Sequence, residues 1–198
     1  QSGNSIYEAA PAEIRDIQIA PASQSISVSA PGEVEYGNPF SVAPTATSGL
    51  TVVAESQTPS VCAVSEYQVT SLGVGECVLR FSQNGNSNYA SVSVTRTVNV
   101  AYQSVQKPAL LSPVKKIKVV TLRWKAPTNA AFSGLQSYRV KYRIAYPGKA
   151  FSRWVSKTVT LRSLKVTLKQ AKYRMEYRVV AIAATSVSPA AIGTVQVK

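Results

Sequence analysis

The stretch TPSVCAVSEYQVTSLGVGECVLRFSQNGNSNYA, residues 58–90, holds both cysteines of the chain. Cys62 and Cys77 each lie in a short run of alternating character, Ser60 to Val64 and Glu76 to Ser82, separated by a glycine-containing turn. The next turn is the polar run Asn84-Gly85-Asn86-Ser87-Asn88. Short alternating runs punctuated by such residues read as strands and turns. Working outward, Gln24 onward alternates with Ile26 and Val28 on one face, and Val34 to Tyr36 leads to the turn Gly37-Asn38-Pro39. Strands are expected over Phe40 to Ala46, Leu50 to Ala54, Gln68 to Thr70 and, longest, Tyr89 to Ala101. Turn signals every ~8–12 residues and no helical periodicity indicate an all-β sandwich or barrel.

The chain restarts at Lys107. Val119 to Trp124, Ser137 to Ile144, Trp154 to Leu161, Leu164 to Leu168, Tyr173 to Ala183 and Gly193 to Val197 each read as a strand. Charge divides at the same place. Residues 1–103 hold three basic residues (Arg15, Arg80, Arg96) against eight acids, a net of −5. Residues 104–198 hold nineteen basic residues against Glu176 alone, a net of +18. The expected organisation is therefore an N-terminal segment or first strand over 1–21, one domain over 22–103 and a second over 104–198. A length of 198 residues suits two sandwiches of ordinary size.

Composition narrows the chemistry. Histidine is absent and Asp16 is the one aspartate. The chain thus lacks an imidazole base, a histidine ligand for zinc and an aspartate cluster for calcium. No enzyme activity, metal or other cofactor is expected. No apolar run approaches the ~20 residues of a spanning helix, so no membrane insertion is expected. Gln1 carries no basic and apolar leader, which reads as a mature or excised segment.

The order YGNPF, TATSGL, TPSVCAV, LGVGECVLRFSQNGNSNYA and a closing Val/Thr strand resembles the bacterial Ig-like repeat domains over residues 22–101. Some members of that family carry cysteines at the positions of Cys62 and Cys77, others alanines. Residues 107–198 resemble a fibronectin type III domain through Trp124 in LRWKAP, Tyr138 and Tyr142 in SYRVKYR, and EYRVVAIAATSVSPAA. Aligning Ala181 puts Met175 where that family carries its corner tyrosine, with Tyr173 and Tyr177 as the alternatives. The resemblances imply two tandem immunoglobulin-like sandwiches. They imply a non-enzymatic structural or adhesive module of a bacterial cell-surface or secreted protein. Its partners would be other subunits, copies of itself or anionic surface polymers. Accessory domains of a secreted hydrolase are a further possibility of the same resemblance.

Three features are candidates for function. Two thiols without further ligands cannot close a zinc shell, and their spacing is not a redox CxxC. Cys62 and Cys77 are thus read as a structural disulfide between strands, which implies an oxidising, extracellular setting. Residues two apart on a strand share a face. Arg139, Lys141 and Arg143 therefore project together, as do Arg174, Glu176 and Arg178 on the Tyr173 strand. The type III resemblance makes these strands neighbours and adds Arg153 and Lys157 from the adjoining one. Such a face attracts polyanions (an anionic cell-wall polymer, an acidic polysaccharide or nucleic acid) or an acidic partner, although basic residues also keep exposed sheets soluble. Trp124, Trp154 and most tyrosines are read as core; Tyr67 and Tyr89 stay open. Lys–Asn crosslinking is not expected: the first domain has no lysine, and the second offers only Asn129 and Glu176. The alternating Ile14, Asp16, Ile17, Ile19 is either a first strand of its own domain or a strand donated to a neighbour.

Overall fold

A computed structural model describes residues 5, 6, 8, 15 and 17–197. The described residues form sixteen strands in five sheets and no helix. Ile14 and Asp16 lie outside the described residues, while Ile17 and Ile19 are exposed.

The first sandwich contains β1 (Ile26–Ser29), β2 (Glu33–Glu35), β3 (Phe40–Ser41), β4 (Ala43–Ala46), β5 (Val53–Ser56), β6 (Cys62–Ser65), β7 (Gln68–Ser71), β8 (Gly75–Gln83) and β9 (Val92–Ala101). One sheet runs β2-β9-β8-β5, another β3-β7-β6, and β1 pairs with β4. The alternation of β8 decides the inside: Cys77, Leu79 and Phe81 are fully buried, whereas Glu76 and Arg80 face solvent. Val42, Val69, Val98 and Val100 complete that core.

Local pattern misled at one strand. Phe40 to Ala46 reads as one strand, but the chain divides at buried Val42. Phe40 pairs with Val69 of β7, whereas Ala43–Ala46 pair with β1. A strand that turns a sandwich corner changes partners without losing its alternation, so periodicity does not reveal the break. In addition, the two-residue hairpin joining β6 to β7 uses Glu66 (φ 46°) and Tyr67 (φ 66°), not the Asn-Gly such a turn favours. The Tyr67 ring offsets the strain by packing on the core, and its hydroxyl donates to the Val52 carbonyl.

The second sandwich contains β10 (Ala109–Lys116), β11 (Val119–Lys125), β12 (Leu135–Ala145), β13 (Val155–Val159), β14 (Ser163–Thr167), β15 (Tyr173–Ala183) and β16 (Ala191–Val197). A three-stranded sheet, β10-β11-β14, faces a four-stranded one, β13-β12-β15-β16. The pairing of β12 with both β13 and β15 is the arrangement implied by the type III resemblance. Strand β10 was not anticipated, because Pro113 and a bulge between Leu111 and Val114 interrupt its alternation. Trp124 and Tyr138 meet edge-on at 5.4 Å within the core, among Leu122, Val140, Met175 and Val179. Met175 is buried where the corner tyrosine was sought. The Tyr173 hydroxyl, equally buried, has no hydrogen-bond partner among the described residues and so makes no corner bond. Tyr177 packs on Gly193, where an added Cβ would stand 2.4 Å from Tyr177 Cζ.

The two sandwiches meet at a joint of a few specific contacts. Gln103 N donates to Phe132 O at 3.0 Å, and its Nε2 donates to Tyr36 O at 2.9 Å. Tyr36 and Phe132 meet edge-on at 5.4 Å. The Phe132 ring occupies the space that a Cβ on Gly37 would fill, 2.6 Å from its Cδ1, and Gly37 also takes a φ of 88°. Asn129, nearly buried, accepts from Gln106 N and donates to Ser104 O, so its amide anchors the connecting segment.

Candidate functional site

Cys62 and Cys77 form a disulfide with a Cα–Cα distance of 5.6 Å. It joins β6 to β8, strands of different sheets, and both residues are fully buried. The pair is a staple through the core and not a reactive site. No cluster of three or more metal-ligating side chains occurs among the described residues.

The outer face of the β13-β12-β15-β16 sheet carries the basic residues. Cross-strand register sets Arg143 opposite Glu176 and Lys141 opposite Arg178, while Arg139 faces Val180. Directly opposed residues share a face, so Arg139, Lys141, Arg143 and Arg178 lie together. Arg174, two residues from Glu176, is on the same side. Arg143 donates from Nε to Glu176 Oε2 at 2.8 Å, with a second nitrogen at 2.6 Å. Both partners are about a third exposed, so water screens the pair and its stabilisation is modest.

Two of the seven candidate basic residues are not brought into this group. Lys157 pairs with Val140, which is fully buried, so its parity is that of the core side. It stays exposed because β13 is the edge strand. Arg153 precedes β13, in the segment 151–154 that pairs as no strand.

That segment supplies what the sequence reading missed. Trp154, expected in the core, is 37% exposed and lies on the basic face. Its ring lies 4.9 Å from the Arg143 guanidinium carbon and 4.9 Å from that of Arg178. Phe151 in turn lies 4.8 Å from Arg143 and 5.2 Å from Arg174. The five side chains interleave in the order Arg174, Phe151, Arg143, Trp154, Arg178. Attraction between a guanidinium and a ring face is worth about 0.5–1 kcal/mol at exposed sites. Ser152 N donates to Ile144 O at 2.8 Å and holds the segment against β12. An apolar residue in this chain therefore has two possible destinations, and the arginines of β12 and β15 decide which.

Beyond the ladder, Arg139, Lys141 and Arg178 rim a shallow depression of about 200 Å³ floored by Val180, Val187 and Ala190. No carboxylate among the described residues is ion-paired with these three. A larger depression, about 530 Å³, opens at the end of the sandwich among Tyr146–Lys149, Lys172–Arg174 and Gln196–Val197. Lys149 and Lys172, two of its cations, stand on turns rather than on paired strands, so they are held less firmly than those of the sheet.

No family model matches the chain, and no curated protein is similar to it. Solved structures are similar at low identity. A computationally redesigned β-sandwich protein is 19% identical with a TM-score of 0.37, covering 46% of this chain and 94% of that one. Domains d3–d4 of the rat CD45 extracellular region are 8% identical with a TM-score of 0.39, covering 52% of this chain and 56% of that one. A domain segment of titin is 12% identical with a TM-score of 0.36, covering 87% of this chain and 65% of that one. The chain thus spans little over half of the CD45 segment and about two thirds of the titin one. At such scores the fold assignment rests on this chain's own strand pairing, which is that of an all-β protein of two immunoglobulin-like sandwiches.

Proposed function

We propose that the chain is a non-enzymatic structural or adhesive module of a bacterial cell-surface or secreted protein, working by contact between sheet faces. The joint carries this reading. Gln103, Tyr36 and Phe132 join two separately cored sandwiches, which is useful to a spacer or scaffold. The disulfide supports an extracellular setting, where such bonds persist. Opposite net charges on the two halves favour contact with other subunits or with further copies of the chain. Light scattering and electron microscopy at rising concentration and low salt test assembly: linear or paired particles are expected, and a strictly monomeric chain under all conditions removes it.

The basic sheet face favours a second reading, in which the second domain binds a polyanion such as an anionic cell-surface polymer. Charge neutralisation releases counterions, so such binding weakens steeply with salt. Retention on an immobilised polyanion that is lost as salt rises is the expected result; absent or salt-independent retention removes this reading.

A further inference from the structure

We infer that the polyanion site is one defined place, the depression rimmed by Arg139, Lys141 and Arg178, and that its occupant is a phosphodiester-linked polymer without bases. The inference rests on the second reading above and narrows it. The ladder sorts the cations of the face. Arg143 is shared between Phe151, Trp154 and Glu176, and Arg174 lies against Phe151. Their charge is partly engaged by these rings and, for Arg143, by Glu176. Arg139 and Lys141 have neither a ring nor a carboxylate over them among the described residues, and Arg178 has one ring behind it.

Spacing and surroundings choose the ligand. Arg139 and Lys141 are two residues apart on β12, about 7 Å along the strand, and Arg178 stands opposite Lys141 about 5 Å away on β15. Strand register fixes these backbone positions, and three cations entering one depression from separate positions suit successive charges of a single chain. The floor of Val180, Val187 and Ala190 suits the uncharged carbon unit between successive phosphates. Single-stranded nucleic acid would need open aromatic faces on which bases stack. Here the Trp154 ring lies between two guanidinium groups, as does Phe151, so neither offers a free platform. Trp154 acts as a positioning residue: it braces Arg178 toward the depression and does not itself contact the polymer.

Binding of poly(glycerol phosphate) to the full chain, measured by calorimetry at several salt concentrations, tests the assignment. Arg139→Glu, Lys141→Glu and Arg178→Glu are each expected to weaken binding about tenfold and to lower the salt slope by about one or more. Arg153→Glu and Lys157→Glu make the same change in net charge on exposed residues outside the depression and are expected to change affinity less than about threefold. Trp154→Ala is expected to weaken binding with the salt slope kept, and Trp154→Phe to restore it. Equal losses in all five reversals, with wild-type binding intact, overturn the site while leaving a diffuse polyanion-binding domain. Tighter binding of oligo(dT) than of poly(glycerol phosphate) overturns the choice of polymer. No binding of either at low salt overturns the second reading and the site with it.

Discussion

Replacing Cys62 and Cys77 together by alanine would remove the staple between β6 and β8 and leave a void in the core of the first sandwich. Closing a loop of this length stabilises by ~3 kcal/mol in the chain-entropy model. Denaturant unfolding is expected to show a loss of about that size, confined to the first domain; an unchanged midpoint would contradict it. Tyr173 poses the opposite case. Its buried hydroxyl has no partner among the described residues, so Tyr173→Phe removes an unpaired polar group and is expected to be neutral or stabilising by up to ~1 kcal/mol. Burial raises the pKa of Tyr138, Tyr173 and Tyr177 above the usual tyrosine value, with Arg162 partly opposing it at Tyr138. The folded state therefore holds these protons more tightly than the unfolded chain. Their stability contribution is complete below the unfolded pKa of about 10 and is lost as pH climbs from there through the folded values. Titration of unfolding between neutral and strongly alkaline pH is expected to show the second domain weakening only above that point.

At the scale of the element, segment 151–154 depends on partners outside itself. It pairs as no strand, and the ladder with Arg143, Arg174 and Arg178 stands in for a ladder of backbone bonds. Trp154→Ala removes two ring–cation contacts, together worth about 1–2 kcal/mol. Amide exchange at Ser152, whose N–H bonds Ile144 O, is expected to quicken by about tenfold while β12 and β15 keep their protection. Uniform loss of protection across the sheet would show instead that Trp154 supports the core. Nothing in FSRW announces this role. Trp124 and Trp154 both sit beside alternating residues, and only the partners across the sheet separate the buried ring from the one laid over arginines.

For the whole molecule, the joint decides whether two sandwiches act as one body. Phe132 stands between Tyr36 and Gly37 of one sandwich and its own turn in the other. Phe132→Ala is expected to free the second domain from the first, seen in solution scattering as a broader spread of interdomain distances at unchanged domain size. An identical scattering profile would assign the fixed geometry to Gln103 and Asn129 alone. The joint was invisible in sequence for a physical reason. Tyr36, Gln103 and Phe132 belong to separate turns and a linker, and no periodicity connects residues that meet only after both domains have folded.

Much of this protein was nonetheless written locally. Alternation at Cys77-Leu79-Phe81 and at Tyr138-Val140-Tyr142 is a covalent consequence of strand geometry, so the all-β fold and the side of the sheet taken by Arg139, Lys141 and Arg143 follow from residue order alone. The absence of histidine, the division of charge and the presence of two cysteines are likewise properties of composition. Tertiary structure decided which strands became neighbours. That choice removed Lys157 from the basic face by register, broke Phe40–Ala46 at Val42 and drew Trp154 out of the core. Strand pairing and side-chain stacking are long-range events, settled by competition among all available partners, and a local pattern can state what a residue prefers without stating what it meets.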